Sequence, residues 1–113
     1  MEDMMALLRK EKRAMTMLDW MKEAKEYAEE VLDERPLRIL QNSKNPQAIY
    51  RSVATAGKAA YESQLKMIEQ QNLTGMDEMI AMETAADYKA EAMQAALTEK
   101  MESLIPGFRE QYL

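Results

Sequence analysis

The spacing of helix-breaking residues is the feature that most constrains the fold of this chain. Only three glycines and three prolines occur in 113 residues. The stretches between them are rich in Ala, Glu, Met, Lys, Leu and Gln, which all rank high in helix propensity. Residues that favour strands are scarce, with two valines and one phenylalanine in the whole chain. The sequence therefore predicts an all-α protein, and its length is that of one domain.

The first predicted helix runs from about Asp3 to Glu34. The carboxylate of Asp3 can cap the helix by accepting hydrogen bonds from amides of its first turn. Pro36 is expected to end the helix, because the residue before a proline is pushed out of helical geometry. A short helical turn is predicted near 36–41.

Two further long helices are predicted after this turn. Asn45 followed by proline is a start signal, an asparagine cap with proline at the first helical position, and it predicts a helix over Pro46–Gln71. The next break comes at residues 72–75, where Thr74 and Asp77 approximate a capping box. The last long helix is then expected to end at about Leu104.

Apolar residues recur every three or four positions in each helix, which places them on one inward face. In the first helix this face is predicted to hold Met17, Met21, Ala24, Ala28 and Val31, with Trp20 and Tyr27 at its edge. In the second it holds Ile49, Val53, Ala56, Ala60, Met67 and Ile68, beside Tyr50, Tyr61 and Leu65. In the last it holds Met79, Met82, Ala86, Ala90, Met93, Leu97, Met101 and Leu104.

Three long helices joined by short connections predict an elongated antiparallel bundle about 40–48 Å long. Gly57 lies in the middle of its helix, which indicates a close approach by a neighbouring helix. We expect a single domain over 1–113, with 1–12 as a loosely held N-terminal arm. Residues 106–113 form a C-terminal tail that can fold back on the bundle. Such a thin bundle buries little per residue, so a homodimer is expected.

The absence of histidine and cysteine limits the chemistry of this chain. Imidazole and thiolate groups supply most general acid–base catalysis, most nucleophile activation and most zinc sites. Magnesium needs only carboxylates, and Glu26, Glu29 and Asp33 lie on successive turns of one helix. A second acidic pair would have to follow, and no acid occurs between Arg35 and Tyr61. We therefore expect no enzyme activity, no cofactor and no metal site.

Methionine is abundant, with 12 residues, and most of these fall on the predicted core faces. Met4, Met5, Leu7 and Leu8 are different, because the charged run 9–13 separates them from the core stripe. A detached apolar cluster near a chain end is typical of a surface that docks on a partner or on a second subunit. These four residues are the predicted apolar partner-binding site.

Basic residues are concentrated in the middle of the chain, where residues 35–66 carry six of them against a single acid, Glu62. Two interpretations stay open. The charges can pair with the acidic helices on either side, at about 0–1 kcal/mol for each exposed pair. Alternatively, they form a basic strip that binds phosphate or an acidic partner. The strip consists of Arg35, Arg38, Lys44, Arg51 and Lys58.

These features favour a non-enzymatic protein–protein interaction module, such as a small regulator, inhibitor or adaptor that self-associates. One alternative is a nucleic-acid or nucleoprotein-binding accessory factor that uses the basic strip. The overall pI of about 4.8 argues against general affinity for nucleic acid. Another alternative is an acidic inhibitor that mimics nucleic acid. No apolar run approaches the roughly 18 residues of a membrane span, and a cytoplasmic protein is expected.

Overall fold

The computed structural model describes residues 4–113, without the side chain of Met5, and contains no strand in that range. The predicted cap at Asp3 lies outside the described residues. The prediction of an all-α bundle is confirmed, and the molecule measures 49 × 26 × 19 Å. The helices are α1 (Met4–Ala14), α2 (Met17–Val31), α3 (Glu34–Gln41), α4 (Pro46–Gln71), α5 (Gly75–Leu104) and α6 (Phe108–Tyr112).

Helices α4 and α5 form an antiparallel hairpin, and the signals that delimit it act as the sequence predicts. The side chain of Asn45 accepts a hydrogen bond from the amide of Ala48 at 3.2 Å and caps α4. At the other end Asn72 has a left-handed φ of 52°, a conformation that asparagine tolerates better than most residues. The predicted bounds of α4 and the predicted end of α5 are confirmed.

Gly57 is buried where α4 and α5 approach each other, as its position in the helix predicts. A β-carbon at Gly57 would lie 2.6 Å from Cγ of Met93, which is closer than two carbon atoms can pack. Four residues further along α4, the ring of Tyr61 faces Lys89, whose Nζ is 5.5 Å from its centroid. The small residue therefore sets how closely the two helices lie.

Helix α2 packs along α4 through Trp20, which the sequence analysis placed at the edge of the stripe. Trp20 is instead fully buried, with its ring centroid 6.2 Å from that of Tyr61. Ala24 and Ala28 are buried as predicted, whereas Val31 is 50% exposed. The helix is rotated toward its largest apolar side chain, because that side chain removes the most surface from water.

The first predicted helix is two helices, and the prediction of one continuous helix is wrong. Thr16 caps α2, since its hydroxyl accepts a hydrogen bond from the amide of Asp19 at 3.2 Å and Asp19 accepts one from the amide of Thr16 at 2.9 Å. Hydrogen bonding of the Asp19 carboxylate to the backbone amide of Thr16, and secondly to the side chain of Thr16, lowers the pKa of Asp19. The capping box predicted at Thr74 does not form a side-chain bond, and the box at Thr16 was missed.

The end of α2 and the start of α3, both close to Pro36, differ from their predicted positions. Helix α2 stops at Val31, three residues before the predicted end, where Leu32 adopts an extended conformation with ψ of 138°. Pro36 lies in the first turn of α3, where the missing amide hydrogen costs no hydrogen bond. The short helical turn near 36–41 is confirmed, although it begins at Glu34.

The buried face of α5 begins one position away from the predicted face. Glu78 and Ala85 are buried, while Met79, Ala86 and Ala90 are exposed. The rest of the predicted face holds, because the side chains at 82, 93, 97 and 101 are all buried. A charged residue was not expected inside, and its partner comes from α1, as described below.

The C-terminal tail folds back on the bundle. Phe108 is buried at 3% exposure, and the carboxylate of Glu102 accepts hydrogen bonds from the amides of Arg109 at 3.0 Å and Gly107 at 2.9 Å. The hydrogen bond from the amide of Arg109, and secondly that from the amide of Gly107, lowers the pKa of Glu102. The ionised carboxylate thus holds α6, and this support is lost as the pH falls through the lowered pKa.

No helix among the described residues is long and apolar enough to cross a membrane.

Two threonines at N-cap positions, one with a capping hydrogen bond and one without, give a matched test of the break between α1 and α2. Thr16→Ala removes a hydrogen-bonded cap and is expected to lower the free energy of unfolding by about 1 kcal/mol. Thr74→Ala removes a threonine from the equivalent position of α5, where the side chain makes no capping bond, and should cost less than about half of that. Urea unfolding measures both, and equal losses would contradict the assignment of the capping box.

Candidate functional site

Helix α1 is attached to the bundle through three of its basic residues. Nη1 of Arg9 lies 2.8 Å from Oε1 of Glu78, and the two side chains are 15% and 3% exposed. Glu78 is the only charged residue among the described ones that is classed as buried. The sequence predicts only that the run 9–13 separates the apolar cluster from the core stripe, and in the structure this run attaches α1 to α5.

Two more side chains of the same run bind the bundle. Nζ of Lys12 lies 2.9 Å from Oε1 of Glu23 on α2, and Nη2 of Arg13 lies 2.9 Å from Oε2 of Glu69 on α4. Together with Arg9, they connect α1 to all three long helices. We call Arg9, Lys12 and Arg13 the basic clasp.

Lys12 also reaches an aromatic pair under the basic clasp. Its Nζ lies 5.6 Å from the ring centroid of Trp20 and 5.9 Å from that of Tyr61. Lys89 approaches the same two rings and lies 3.7 Å from Oε2 of Glu23. A cation over an aromatic face contributes about 0.5–1 kcal/mol when exposed and more when desolvated. The fixed position of Trp20 thus gives the basic clasp a second point of attachment besides its ion pairs.

The opposite face of α1 points to solvent and carries apolar side chains beside the exposed Glu11. Met4 is 75% exposed, Leu7 40% and Leu8 41%, and their spacing of three and four residues places them on one side of the helix. The predicted partner-binding cluster is therefore on the surface, although the side chain of Met5 is not described. Helix α1 thus turns Arg9 and Lys12 toward the bundle and its largest described apolar side chains toward solvent, whereas an ordinary surface helix turns its apolar side inward.

A second exposed apolar group lies at the start of α5 and was missed in the sequence. Met76, Met79 and Ile80 are 68%, 46% and 55% exposed, with the same spacing as the group on α1. The pair between Arg9 and Glu78 places both groups at one end of the bundle. The signal in the sequence was ambiguous, because Met79 also fits the period of the core face.

The basic strip predicted from the sequence lies on α3, the link after it and α4. Arg38 pairs with Glu34 of its own helix at 2.6 Å, and Arg35 donates a hydrogen bond to Oη of Tyr112 at 3.4 Å. The other three members of the strip form no ion pair with any carboxylate of residues 4–113, so in that range they do not pair with the acidic helices. These other members are Lys44, Arg51 and Lys58, of which the last is half-buried.

Carboxylates do not gather into a metal site in the part of the chain that the structure describes. Those on the outer side of α5, Glu83, Asp87 and Glu91, are exposed and follow one another by one helical turn. Such a ladder is an acidic surface, since magnesium bound by protein needs carboxylates that converge on one point.

The chain matches no protein-family model, and no curated protein or solved structure is significantly similar to it. We therefore infer its function from its surfaces.

The basic clasp can be tested at Arg9. Arg9→Met leaves the carboxylate of Glu78 buried without its partner, and removing one member of a buried ion pair is strongly destabilising. We expect a loss on the order of 2–3 kcal/mol, somewhat less than for a fully buried pair, because the side chain of Arg9 keeps 15% exposure. Chemical unfolding measures this loss, and hydrogen exchange should show that α1 loses protection before α4 does.

Lys10→Met is the matched control, because Lys10 is the exposed neighbour and forms no ion pair with the described residues. It should change stability by less than about 0.5 kcal/mol. If Arg9→Met leaves the protection of α1 unchanged, the pair does not hold that helix.

Proposed function

We propose that this chain is a non-enzymatic interaction module that binds a protein partner through the outer face of α1. The inverted orientation of that helix carries the proposal. Met4, Leu7 and Leu8 face solvent, while Arg9 faces a buried carboxylate. A helix free to rotate would bury its apolar side, and here the basic clasp prevents it.

The three exposed residues match a known mode of recognition. Apolar side chains at positions i, i+3 and i+4 of a helix are the anchors of helix-in-groove binding. Each fully buried leucine contributes about 1.5–3 kcal/mol relative to an exposed one. Leu7 and Leu8 already lie on a helix that is folded and attached, so binding does not have to order them.

The interface extends beyond α1. A helix of 11 residues is about 16 Å long and 10–12 Å wide, which is well short of the roughly 800 Å² that a stable interface buries on each partner. Met76, Met79 and Ile80 supply further apolar surface at the same end of the bundle. A second copy of the chain offers an apolar surface of the same kind, so self-association is part of the proposal.

Leu8→Glu should abolish this interaction without unfolding the protein, because Leu8 is already 41% exposed and glutamate is a good helix former. We expect self-association, measured by sedimentation equilibrium, to weaken at least tenfold. Quantitative capture of partners from the host extract should fall equally, and circular dichroism checks the fold.

Leu18→Glu is the control, since Leu18 is 77% exposed on α2 and takes the same change outside the proposed interface. It should bind as the parent chain does. If the parent chain is monomeric and Leu8→Glu captures the same partners as the parent chain, the proposal is wrong.

A second candidate function is binding of nucleic acid through the basic strip. The observation that favours it is the free state of Lys44, Arg51 and Lys58, which form no ion pair with a described carboxylate. Cations left unpaired by their own bundle are available for phosphates. The acidic alternative, mimicry of nucleic acid, is supported only by the exposed ladder of Glu83, Asp87 and Glu91.

Charge reversal separates these possibilities. The double variant Arg38→Glu and Arg51→Glu should weaken binding to a labelled oligonucleotide at least tenfold at 50 mM salt, because each lost phosphate contact lowers the electrostatic part of the affinity. Fluorescence anisotropy at two salt concentrations, with DNA and with RNA, measures the loss and a shallower salt dependence.

The double variant Lys22→Glu and Lys25→Glu makes the same change of net charge on α2, where both lysines are exposed. It should retain most of the affinity. Equal losses for the two double variants, or no binding by the parent chain, would eliminate the basic strip as a nucleic-acid site.

A further inference from the structure

A cavity of about 310 Å³ lies between α2, α3, α5 and α6, away from α1. Its lining includes Tyr27 of α2, Leu97 and Thr98 of α5, and Phe108 and Tyr112 of the folded tail. Its volume is at the lower end of the range for small-molecule sites. It is roughly twice that of an engineered apolar cavity of about 150 Å³ that binds benzene.

The walls of this cavity are fixed by packing. Leu97 and Phe108 are both 3% exposed, and the rings of Phe108 and Tyr112 stack with centroids 5.1 Å apart. Burial raises the pKa of the Tyr27 phenol, so this wall stays neutral across the physiological range. This part of the wall is thus preformed, while the exposed side chains of Val31 and Leu113 complete the lining.

One charged side chain is found among the described residues that line the cavity. Asp33 is the charged side chain that lines it, between α2 and α3, and its carboxylate makes no capping hydrogen bond to α3. It also forms no ion pair with the residues that the structure describes. The cation Arg35 is not among the lining residues. It is exposed, donates a hydrogen bond to Oη of Tyr112 at 3.4 Å and forms no ion pair with Asp33.

We propose that this cavity binds a small organic cation with an apolar body, such as an aromatic amine. Three aromatic residues, Tyr27, Phe108 and Tyr112, line the cavity, and an aromatic ring attracts a positive charge through its quadrupole. The carboxylate of Asp33 is free to pair with the same charge at the rim, while the neighbouring apolar wall accommodates the body of the ligand. This site shares no residue with the outer face of α1, so it does not depend on the function proposed above.

Three indole compounds of nearly equal size test the role of charge. Tryptamine is a cation, tryptophol is neutral and indole-3-acetate is an anion. Titration of the ¹⁵N-labelled protein, followed by amide chemical shifts, should show saturable changes at residues around Phe108 and Leu97 with tryptamine. Tryptophol should bind at least fivefold more weakly, and the anion should not bind at all.

Two variants and one control separate the cavity from nonspecific binding. Asp33→Asn keeps the size of the side chain and should weaken tryptamine binding at least fivefold. Thr98→Phe adds a ring at the cavity wall and should abolish binding. Glu110→Gln makes the same charge change as Asp33→Asn at an exposed position of α6 and should bind tryptamine within twofold of the parent chain.

The comparison between Asp33→Asn and Glu110→Gln decides the matter even if Thr98→Phe fails to fold. Saturable binding that Asp33→Asn weakens and Glu110→Gln does not supports the proposal. No shift changes near the cavity at 5 mM tryptamine, equal binding of the anion, or equal effects of the two variants would overturn it.

Discussion

Close packing against α4 is the constraint on which the rest of this structure depends. Helix α4 contacts α5 where Gly57 meets Met93, and it contacts α2 where Tyr61 meets Trp20. A glycine within a helix is less favourable than alanine by about 1 kcal/mol, and at Gly57 that cost permits a separation that a β-carbon would prevent. Once both neighbours are fixed against α4, Glu23 and Lys89 are brought together across the gap between α2 and α5, and the basic clasp acquires its partners.

The ion pair between Arg9 and Glu78 contributes more to the orientation of α1 than to the stability of the fold. Desolvating two charges costs about as much as their attraction returns, and an apolar pair of similar volume often stabilises a fold as well or better. An apolar residue at 78 would have attracted the apolar side of α1, which carries Leu7 and Leu8. A buried carboxylate admits only the cationic side, so it determines the face that α1 presents to solvent.

Local signals in the sequence predicted local events well. The cap at Asn45, the break that begins at Asn72 and the short helix that contains Pro36 depend on residues within one or two turns. The first two form where the sequence predicts them, and the short helix begins two residues before its predicted start. The break at Thr16 was also a local event, and it was missed because the charged run 9–13 and the stripe after it both have helical periodicity. The capping box at Thr16 was the available signal.

Properties that depend on the neighbouring helices could not be read from one helix alone. The rotation of α2 toward Trp20 follows from the position of Tyr61, 41 residues away along the chain. Burial of Glu78 follows from Arg9 on another helix. The same reason explains the candidate sites, because the sequence identified Leu7 and Leu8 as detached from the core but could not show that α1 would hold them outward.

The distribution of charge among the described residues is the reason why the functions proposed above concern binding. Catalytic groups are commonly titratable side chains whose pKa is shifted by burial beside a specific neighbour, in a cleft that excludes water. Among the described residues Glu78 is the one buried charge, and its carboxylate is already occupied by Arg9. The groups that remain available are exposed apolar side chains on α1, the exposed cations Lys44 and Arg51 and the carboxylate of Asp33 beside an aromatic cavity. Recognition by shape and charge needs no change in a covalent bond, and for that reason we propose binding at each of these surfaces.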